Sequence, residues 1–501
     1  MVEVVGEERL GELVLPESAE DEGLMMEASD DLFGSVIPKG PMFHRFFQAS
    51  VNITGTDLPQ PIQSFDDLGL PGSVAENLFL MDFDRPTPIQ MHALPAVKTG
   101  RDVVAIAETG CGKTAAYLLP LLHGLLLERD SGKDPVHNRR VKAMVVLPTR
   151  ELALQVHREA LKFSFGTELK MGILYGGSSI ANQRHALSHG ADLLIATAGR
   201  LCEFIRARFI DCRTLKVFAV DESDLCVHKG FLEEVESTLQ GMDVNLTPVQ
   251  VLMFSATFPD TLRDKVNRFL HPNYIFIQIG SASNANRDIV QEFVPAKAGQ
   301  EKKGQLVEMV KKDLAEYKAF YQANPGTRQK MRTLIFTETR LSANDVAMAL
   351  IKEGEEHQVQ ALTGTRPIHS HEDQNDREVV MEDFSSGAKP VLVATDVIAR
   401  GIDVPFIAHV IQYELPRLIG DENLDTAAAQ YIQRIGRTGR LGNPGKATAF
   451  VDRRDTLLAH RIIKIARDAE QEVPGWLLEM AGEVDSNQPH LSSADVEDEQ
   501  W

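Results

Sequence analysis

The chain has 501 residues, 43% hydrophobic and 25% charged, which is a globular composition with length for two or three domains. Its longest apolar runs, such as Ala116 to Leu127, are broken by Pro120, His123 and Gly124 and are too short to span a bilayer. The formal charge of −20 argues against a nucleic-acid partner until its distribution is read. Residues 1–31 hold eleven acidic residues and one basic residue, Arg9, and residues 468–501 hold ten acidic residues and no Lys or Arg. That leaves 51 acidic and 51 basic residues over 32–467, a neutral body between two acidic tails. Such tails read as solvated and disordered. Solubility is their plain role; competing with RNA phosphates or contacting a basic protein partner is the functional one. Met1 to Leu10 is acidic, without the basic start of a signal peptide. The four cysteines, Cys111, Cys202, Cys212 and Cys226, form no Cys-x-x-Cys pair. An intracellular protein, cytoplasmic or nuclear and without a membrane, is expected.

Globular patterning begins at Phe65, and a helical pattern covers Ser73 to Met81. Phe83-Asp84-Arg85-Pro86-Thr87-Pro88-Ile89-Gln90 follows. Its Pro-Thr-Pro turn cannot continue a helix and fixes Gln90 in place. Gln90 carries a donor and an acceptor, as the adenine edge does, and Phe83 could stack on a base. A capping loop before a helix over 90–98 is the plainer alternative.

Next comes a strand-like run, Asp102 to Ile106, then Ala107-Glu108-Thr109-Gly110-Cys111-Gly112-Lys113-Thr114, then a helical pattern. This is the layout of a phosphate-binding loop. Gly110 and Gly112 let the backbone N–H groups turn toward phosphate oxygens, and the helix N-terminus adds partial positive charge. Lys113 would reach the β- and γ-phosphates and Thr114 would ligate Mg²⁺.

Strand-like runs then alternate with helical patterns: 143–147, 172–174, 192–196, 215–220 and 250–254. Apolar runs of this length read as buried parallel strands, and ligands bind at their C-terminal ends. There lie Pro148-Thr149-Arg150-Glu151, Gly176-Gly177, Thr197-Ala198-Gly199-Arg200, Asp221-Glu222-Ser223-Asp224 and Ser255-Ala256-Thr257. Asp221 would hold Mg²⁺ opposite Thr114, through water, and Glu222 would activate the attacking water. As a mere acidic helix start the pair would contribute roughly 0.3–1 kcal/mol.

A second α/β unit has runs at 333–336, 358–362, 390–394, 409–413 and 446–451. It has no phosphate loop. Thr395-Asp396-Val397-Ile398-Ala399-Arg400-Gly401-Ile402-Asp403 ends one run, and Gln433-Arg434-Ile435-Gly436-Arg437-Thr438-Gly439-Arg440 lies further on. The three-residue spacing puts the arginines on one side of a helix, where their forks could serve phosphoryl oxygens as arginine fingers. A solvated basic helix face is the competing view.

Taken in order, these segments resemble the DEAD-box family of ATP-dependent RNA helicases, from about Phe65 to Asp452. The matching stretches are the Phe83–Gln90 loop, AETGCGKT, PTRELALQ at 148–155, Gly176-Gly177, TAGR at 197–200, DESD at 221–224 and SAT at 255–257. They continue with LIFTET at 334–339, Gln374 with Arg377, ATDVIARGID at 394–403 and YIQRIGRTGR at 431–440. FSATFP at 254–259 and the run 434–452 look most like the Vasa-type branch.

The resemblance implies an α/β fold of two tandem RecA-like domains, each a mostly parallel sheet flanked by helices. The expected division is an acidic tail over 1–40, a first domain over 41–282, a linker over 283–300, a second domain over 301–467 and an acidic tail over 468–501. It implies RNA-stimulated ATP hydrolysis with Mg²⁺, coupled to local unwinding of short duplexes or remodelling of RNA–protein complexes, by a monomer. An ATP-gated RNA clamp or scaffold with weak hydrolysis is the alternative. By this resemblance Phe83, Gln90, Thr109, Gly110, Cys111, Gly112, Lys113, Thr114 and Asp403 bind nucleotide. Lys113, Asp221, Glu222, Arg437 and Arg440 catalyse, with Thr114 and Asp221 serving Mg²⁺. Ser255, Thr257 and Asp224 couple nucleotide to RNA. Pro148, Thr149, Arg150, Gly177, Thr197, Gly199, Arg200, Thr395, Arg400 and Gly401 contact RNA, through phosphates and 2′-hydroxyls rather than by sequence.

Several positions depart from the family pattern. Ser223 stands for Ala, Ala198 for Pro and Gln433 for His. Glu108 stands where Gln is usual and puts negative charge beside the phosphate loop. Nine residues separate Gly364 from Gln374, read as a surface loop insertion, although His369 and His371 with Glu372 and Asp373 could also suggest a metal, and the Lys302–Lys330 segment is long with a helical pattern over Leu306 to Tyr321.

Overall fold

The computed structural model describes residues 32–33, 39–130, 140–242, 249–280, 286–297, 299–327, 329–354, 367–368, 374–395, 404, 406–417 and 424–482. Two sheets organise it. The first holds eight strands: β1 (Val51–Thr54), β2 (Val103–Ile106), β3 (Ala143–Leu147), β4 (Met171–Leu174), β5 (Leu193–Thr197), β6 (Val217–Val220), β7 (Gln250–Ser255) and β8 (Ile275–Ile279). Their spatial order is β1-β8-β2-β7-β6-β3-β5-β4, parallel except for β1 against β8. The second holds β9 (Ile289–Pro295), β10 (Arg332–Thr337), β11 (Pro367–Ile368), β12 (Val391–Thr395), β13 (Ile407–Gln412) and β14 (Gly445–Val451). These run β11-β12-β10-β13-β14-β9 and are all parallel.

The apolar runs form strands because both faces of each sheet are covered. Val103 and Ala105 of β2 enter one core layer, and Val104 and Ile106 enter the other. In β10, Ile335 packs to one side while Leu334 and Phe336 pack to the other. The covering helices show a stripe instead. In the helix Arg150–Ser164, Leu152, Ala153, Val156, Ala160 and Phe163 are buried, at helical spacing. All four cysteines are buried and unpaired. Burial pushes the Cys111 thiol to about 11 and that of Cys212 to about 12.

The expected helices appear as Gly72–Leu80, Pro88–Lys98 and Gln300–Ala323. Other expectations need correcting. The stretch 283–300, read as a linker, contains β9, which adds to the second sheet beside β14. Its residues alternate, with Ile289, Gln291 and Phe293 inward and Val290 exposed, as an edge strand should. The acidic tail from 468 begins with structure: the helix Gly475–Ala481 buries Leu477, Leu478 and Ala481 against the helix Thr456–Asp468. The tail segments 1–31 and 483–501, the run 358–362 and the histidines of the 365–373 insertion lie outside the described residues. No helix among the described residues is long and apolar enough to cross a membrane.

Under the second sheet lies a closed polar network. One oxygen of Asp313 accepts from Thr333 Oγ1 at 2.9 Å and meets His409 Nδ1 at 2.7 Å. His409 Nε2 meets Thr448 Oγ1 at 2.8 Å, and Tyr317 OH meets Thr333 Oγ1 at 2.8 Å. These groups join the helix Gln300–Ala323 to β10, β13 and β14. A buried network of this kind is costly to break, because removing one member strands the others. Asp313→Ala is expected to lower the stability of the C-terminal domain by about 2–3 kcal/mol, read as an earlier thermal transition, with nucleotide binding by the N-terminal domain retained.

Candidate functional site

The loop between β2 and the helix Lys113–Asp130 curls as its glycines allow, with φ of +77° at Gly110 and +91° at Gly112. A Cβ on Gly112 would sit 2.3 Å from Gln90 Nε2, so only glycine admits the incoming loop 83–90. That loop is locked on. Thr87 Oγ1 donates to Cys111 O at 2.7 Å, and Gln90 Nε2 donates to Gly112 O at 3.2 Å. Gln90 Oε1 accepts from Thr87 N at 2.9 Å, closing a capping box at the helix Pro88–Lys98. Gln90 therefore holds the phosphate loop as well as capping its own helix. Phe83 lies edge-on to Phe163 and tilted against Phe65, with ring centroids 5.6 and 5.9 Å away, and is partly exposed.

Lys113 Nζ is buried and donates to the carbonyls of Ala107 and Glu108 at 2.7 and 3.0 Å. Across from it, Asp221 ends β6. Tyr117 OH donates to Asp221 Oδ2 at 2.8 Å and Glu222 N donates to Oδ1 at 2.9 Å. Burial raises the Asp221 carboxyl, opposed by the Lys113 ammonium. Burial likewise pushes Glu222 up to about 7, with Lys113 opposing and Asp224 and Asp221 adding to the rise. Glu222 has φ +47°, a left-handed conformation that costs a non-glycine residue about 1–2 kcal/mol. Strain of this kind, next to a perturbed carboxyl, is characteristic of working sites.

The second domain reaches the same place. Asp224 Oδ2 accepts from Thr257 Oγ1 at 2.5 Å and from Gln433 Nε2 at 3.1 Å. Ser255 Oγ accepts from Thr257 N at 3.3 Å. Thr109 Oγ1 lies 3.5 Å from Gly436 O, and a Cβ on Gly436 would come within 2.6 Å of it. Arg437 Nε donates to Gln433 O at 3.1 Å, and the Arg437 charge is felt at Glu222. Arg440 lies over Gly110, and burial pushes its guanidinium down to about 10 against the pull of Glu222.

The three arginines do not share a helix face. The helix Leu424–Ile435 stops before Gly436, so Arg437 and Arg440 come from the turn beyond it. Arg434 alone lies in the α-helix and points away: it pairs with Glu338, donates to Glu414 O at 2.7 Å and stacks over Phe336 at 5.3 Å. Glu108 faces the start of the second domain. Burial raises its carboxyl, Lys113 opposes the rise, and Asp288 and Arg287 act on it from the other side. With Thr109, Ala256, Asn286, Ile432, Gln433 and Gly436 it lines a small cleft between the domains.

The segments expected to meet RNA share one edge of the first sheet, at the C-terminal ends of the neighbouring strands β3, β5 and β4. Pro148 leads to Thr149, whose Oγ1 caps the helix at Leu152 N, 3.3 Å. Arg150 lies over the Tyr175 ring at 5.5 Å, just before Gly176-Gly177. Thr197 ends β5, and Ala198 is the buried first residue of the helix Ala198–Arg206, a position that proline also suits. Gly199 follows, and Arg200 donates to Ser178 O at 3.1 Å and to Gln183 Oε1 at 3.2 Å. Gln183 in turn donates to Tyr175 O at 2.9 Å. Tyr175 and Gln183 tie these loops together, and nothing in the local pattern of the sequence marks them. Thr395 ends β12, buried; Arg400, Gly401 and Asp403 lie outside the described residues.

Comparison with known proteins agrees with this arrangement. Residues 87–265 match the DEAD/DEAH box helicase family and residues 315–442 the helicase conserved C-terminal domain. The rice DEAD-box ATP-dependent RNA helicase 52A is 36% identical over 443 residues, covering 87% of this chain and 69% of that one. The ATP-dependent RNA helicase vasa of Drosophila melanogaster is 36% identical over 451 residues, covering 89% of this chain and 62% of the relative. The chain spans 57% of the length of a third relative, the probable ATP-dependent RNA helicase DDX4 of Pelophylax lessonae, at 34% identity and 88% coverage of this chain. Among solved structures, S. cerevisiae Dbp5 bound to RNA and ADP BeF3 superimposes with a TM-score of 0.65 at 25% identity, over 85% of this chain and 95% of that one. Mss116p bound to ssRNA and AMP-PNP gives a TM-score of 0.67 at 25% identity, over 85% and 83%. Two RecA-like sheets, a phosphate loop at their seam and this match to both helicase domains together mean that the chain belongs to the DEAD-box ATP-dependent RNA helicase family.

Proposed function

We propose that the protein is an RNA-stimulated ATPase that locally separates short RNA duplexes or remodels RNA–protein complexes. The observation that carries this reading is Asp224, which accepts from Thr257 of the first domain and Gln433 of the second. A nucleotide on Lys113 and RNA across both sheet edges would then favour the same closed arrangement. The similarity to structures described as bound to RNA with ADP BeF3 or AMP-PNP supports both ligands.

In this reading Gly110 to Thr114 and Lys113 hold the phosphates, with Thr109, Cys111 and Asp403 completing the nucleotide pocket and Phe83 flanking the base. Glu222 orients and deprotonates the attacking water. Arg437 and Arg440 meet the charge that develops on the transferred phosphoryl group. The hard oxygens of Thr114, at the start of the helix Lys113–Asp130, and of buried Asp221, on which the Lys113 charge acts, suit Mg²⁺, which would neutralise phosphate charge when bound. Pro148, Thr149, Arg150, Gly177, Thr197, Gly199 and Arg200 line the RNA path on one domain. Thr395, Arg400 and Gly401 line it on the other. Contacts of these types read backbone rather than bases.

Phosphate release with and without RNA tests the activity. Wild type is expected to be stimulated by RNA and not by DNA, and Glu222→Gln to lose at least about 100-fold in kcat; absence of RNA stimulation refutes the reading. Gln433→Ala leaves Asp224 bonded only within its own domain. It is expected to cut RNA-stimulated turnover by about tenfold, the effect of losing one hydrogen bond to a charged group, while nucleotide-independent RNA binding is unchanged. The slow-turnover clamp reading draws on Glu108, whose charge stands beside the phosphates. Glu108→Gln is accordingly expected to lower KM for ATP several-fold at neutral pH, and an unchanged KM would show that this carboxyl does not weaken nucleotide binding.

A further inference from the structure

Residues Lys39–Gln48 belong to neither sheet, yet they touch both domains. The turn Phe43–Gln48 is held by its own aromatics, with Phe43 edge-on to Phe46 and Phe47 at 5.7 and 5.8 Å. On the first domain, Lys39 pairs with Asp84, with Asp82 at 4.0 Å, and the Arg85 guanidinium lies 4.1 Å over the Phe47 ring. Asp82 to Arg85 lead directly into the Thr87–Gln90 segment that grips the phosphate loop. On the second domain, Met42 N donates to Gly442 O at 2.9 Å, and Arg45 pairs with Asp288 at 2.6 Å.

The fit is close. A Cβ on Gly40 would fall 2.3 Å from the Gly442 carbonyl, and one on Gly442, at φ +73°, would fall 2.1 Å from Phe43 N. Two glycines therefore let two backbones meet, and the second closes the turn that carries Arg440. The Arg45–Asp288 pair is the strongest tie, because Asp288 is only 5% exposed and its charge needs a partner. Lys39–Asp84 is largely solvated and contributes little. Asp288 also acts on Glu108 in the phosphate loop, so Arg45 neutralises a charge that borders the nucleotide site.

We propose that Lys39–Gln48 is an interdomain clasp on the nucleotide side of the cleft, in which Arg45 and Phe47 are positioning residues that act through Asp288 and Arg85. The clasp rests on the reading of this cleft as a nucleotide site. It is complete only when the domains are closed, so its contacts add to the stability of that state and raise nucleotide affinity before RNA arrives.

The test uses the full chain and a mant-labelled ATP analogue with Mg²⁺, without RNA, followed by steady-state hydrolysis with saturating RNA. Arg45→Ala is expected to raise the Kd of the analogue and the KM for ATP about tenfold, as loss of a charge-assisted hydrogen bond does, with kcat within twofold of wild type. Arg45→Lys should recover part of the loss. Asp288→Asn should match Arg45→Ala, and the double variant should be no worse than either, since both remove one interaction. Phe47→Leu, which leaves the ion pair intact, should also raise Kd with the thermal midpoint unchanged. An unchanged Kd in both Arg45→Ala and Phe47→Leu, a loss in kcat with KM unaltered, or additive single effects would overturn the clasp. Wild type that binds the analogue but hydrolyses no ATP would sink the ATPase reading and leave the clasp standing; wild type that binds no nucleotide would overturn both.

Discussion

One carboxylate bridges the two halves of this molecule beside its central cleft. Asp224 sits two residues beyond Glu222 and accepts hydrogen bonds from Thr257 and from Gln433, so a single oxygen bridges the domains. The residues proposed for catalysis are arranged about that point. Asp221 and Glu222 stand on one side of it, and Arg437, carried by the turn after the helix Leu424–Ile435, stands on the other. If the domains part, Lys113 keeps its loop and Glu222 keeps its backbone strain, but the arginines leave. On the proposed reading, hydrolysis then requires the closed shape as well as Glu222.

On the proposed reading, the sheet edges would let RNA control that shape. The first sheet presents Thr149, Gly177 and Thr197 at adjacent strand ends, and the second presents Thr395 at the end of β12. A strand of nucleic acid lying over both edges would make its full set of contacts only in one relative position of the sheets. Arg150 and Arg200, proposed to contact RNA, are held in place, the first by the Tyr175 ring and the second by Ser178 and Gln183.

Much of this was legible in the sequence, and for a physical reason. A phosphate loop, an acidic strand end and an arginine-glycine turn are each built from a few consecutive residues, so local spacing carries their chemistry. The strands were legible because apolar runs buried on both faces can be little else in an alternating chain. What stayed hidden depends on partners far away in sequence. In edge strand β9 burial alternates but polarity does not, with Gln291 inward and Val290 exposed, so the strand gains its sense only beside β14. The helix Gly475–Ala481 sits in an acidic context and is held by apolar residues of the helix Thr456–Asp468. The spacing of Arg434, Arg437 and Arg440 suggested one helical face, but Gly436 ends the helix, and the first arginine is a buried structural pair. Gln90 offered a donor and an acceptor for a base, and both are engaged with the phosphate loop and the helix cap. Tyr175 and Gln183, and the tie from Arg45 to Asp288, had no local signature at all.

The four buried cysteines have a consequence of their own. Each thiol is held out of solvent, and burial disfavours every thiolate, so attack by oxidants or alkylating reagents must wait for the structure to open. Three of them are locked in the first domain's core layer against β3, β6 and β7. Cys111 differs, because its Sγ lies 2.9 Å from Glu108 O inside the phosphate loop itself. Its exposure requires that loop to open. The rate at which Cys111 is alkylated would therefore report how often the loop from Ala107 to Thr114 comes undone.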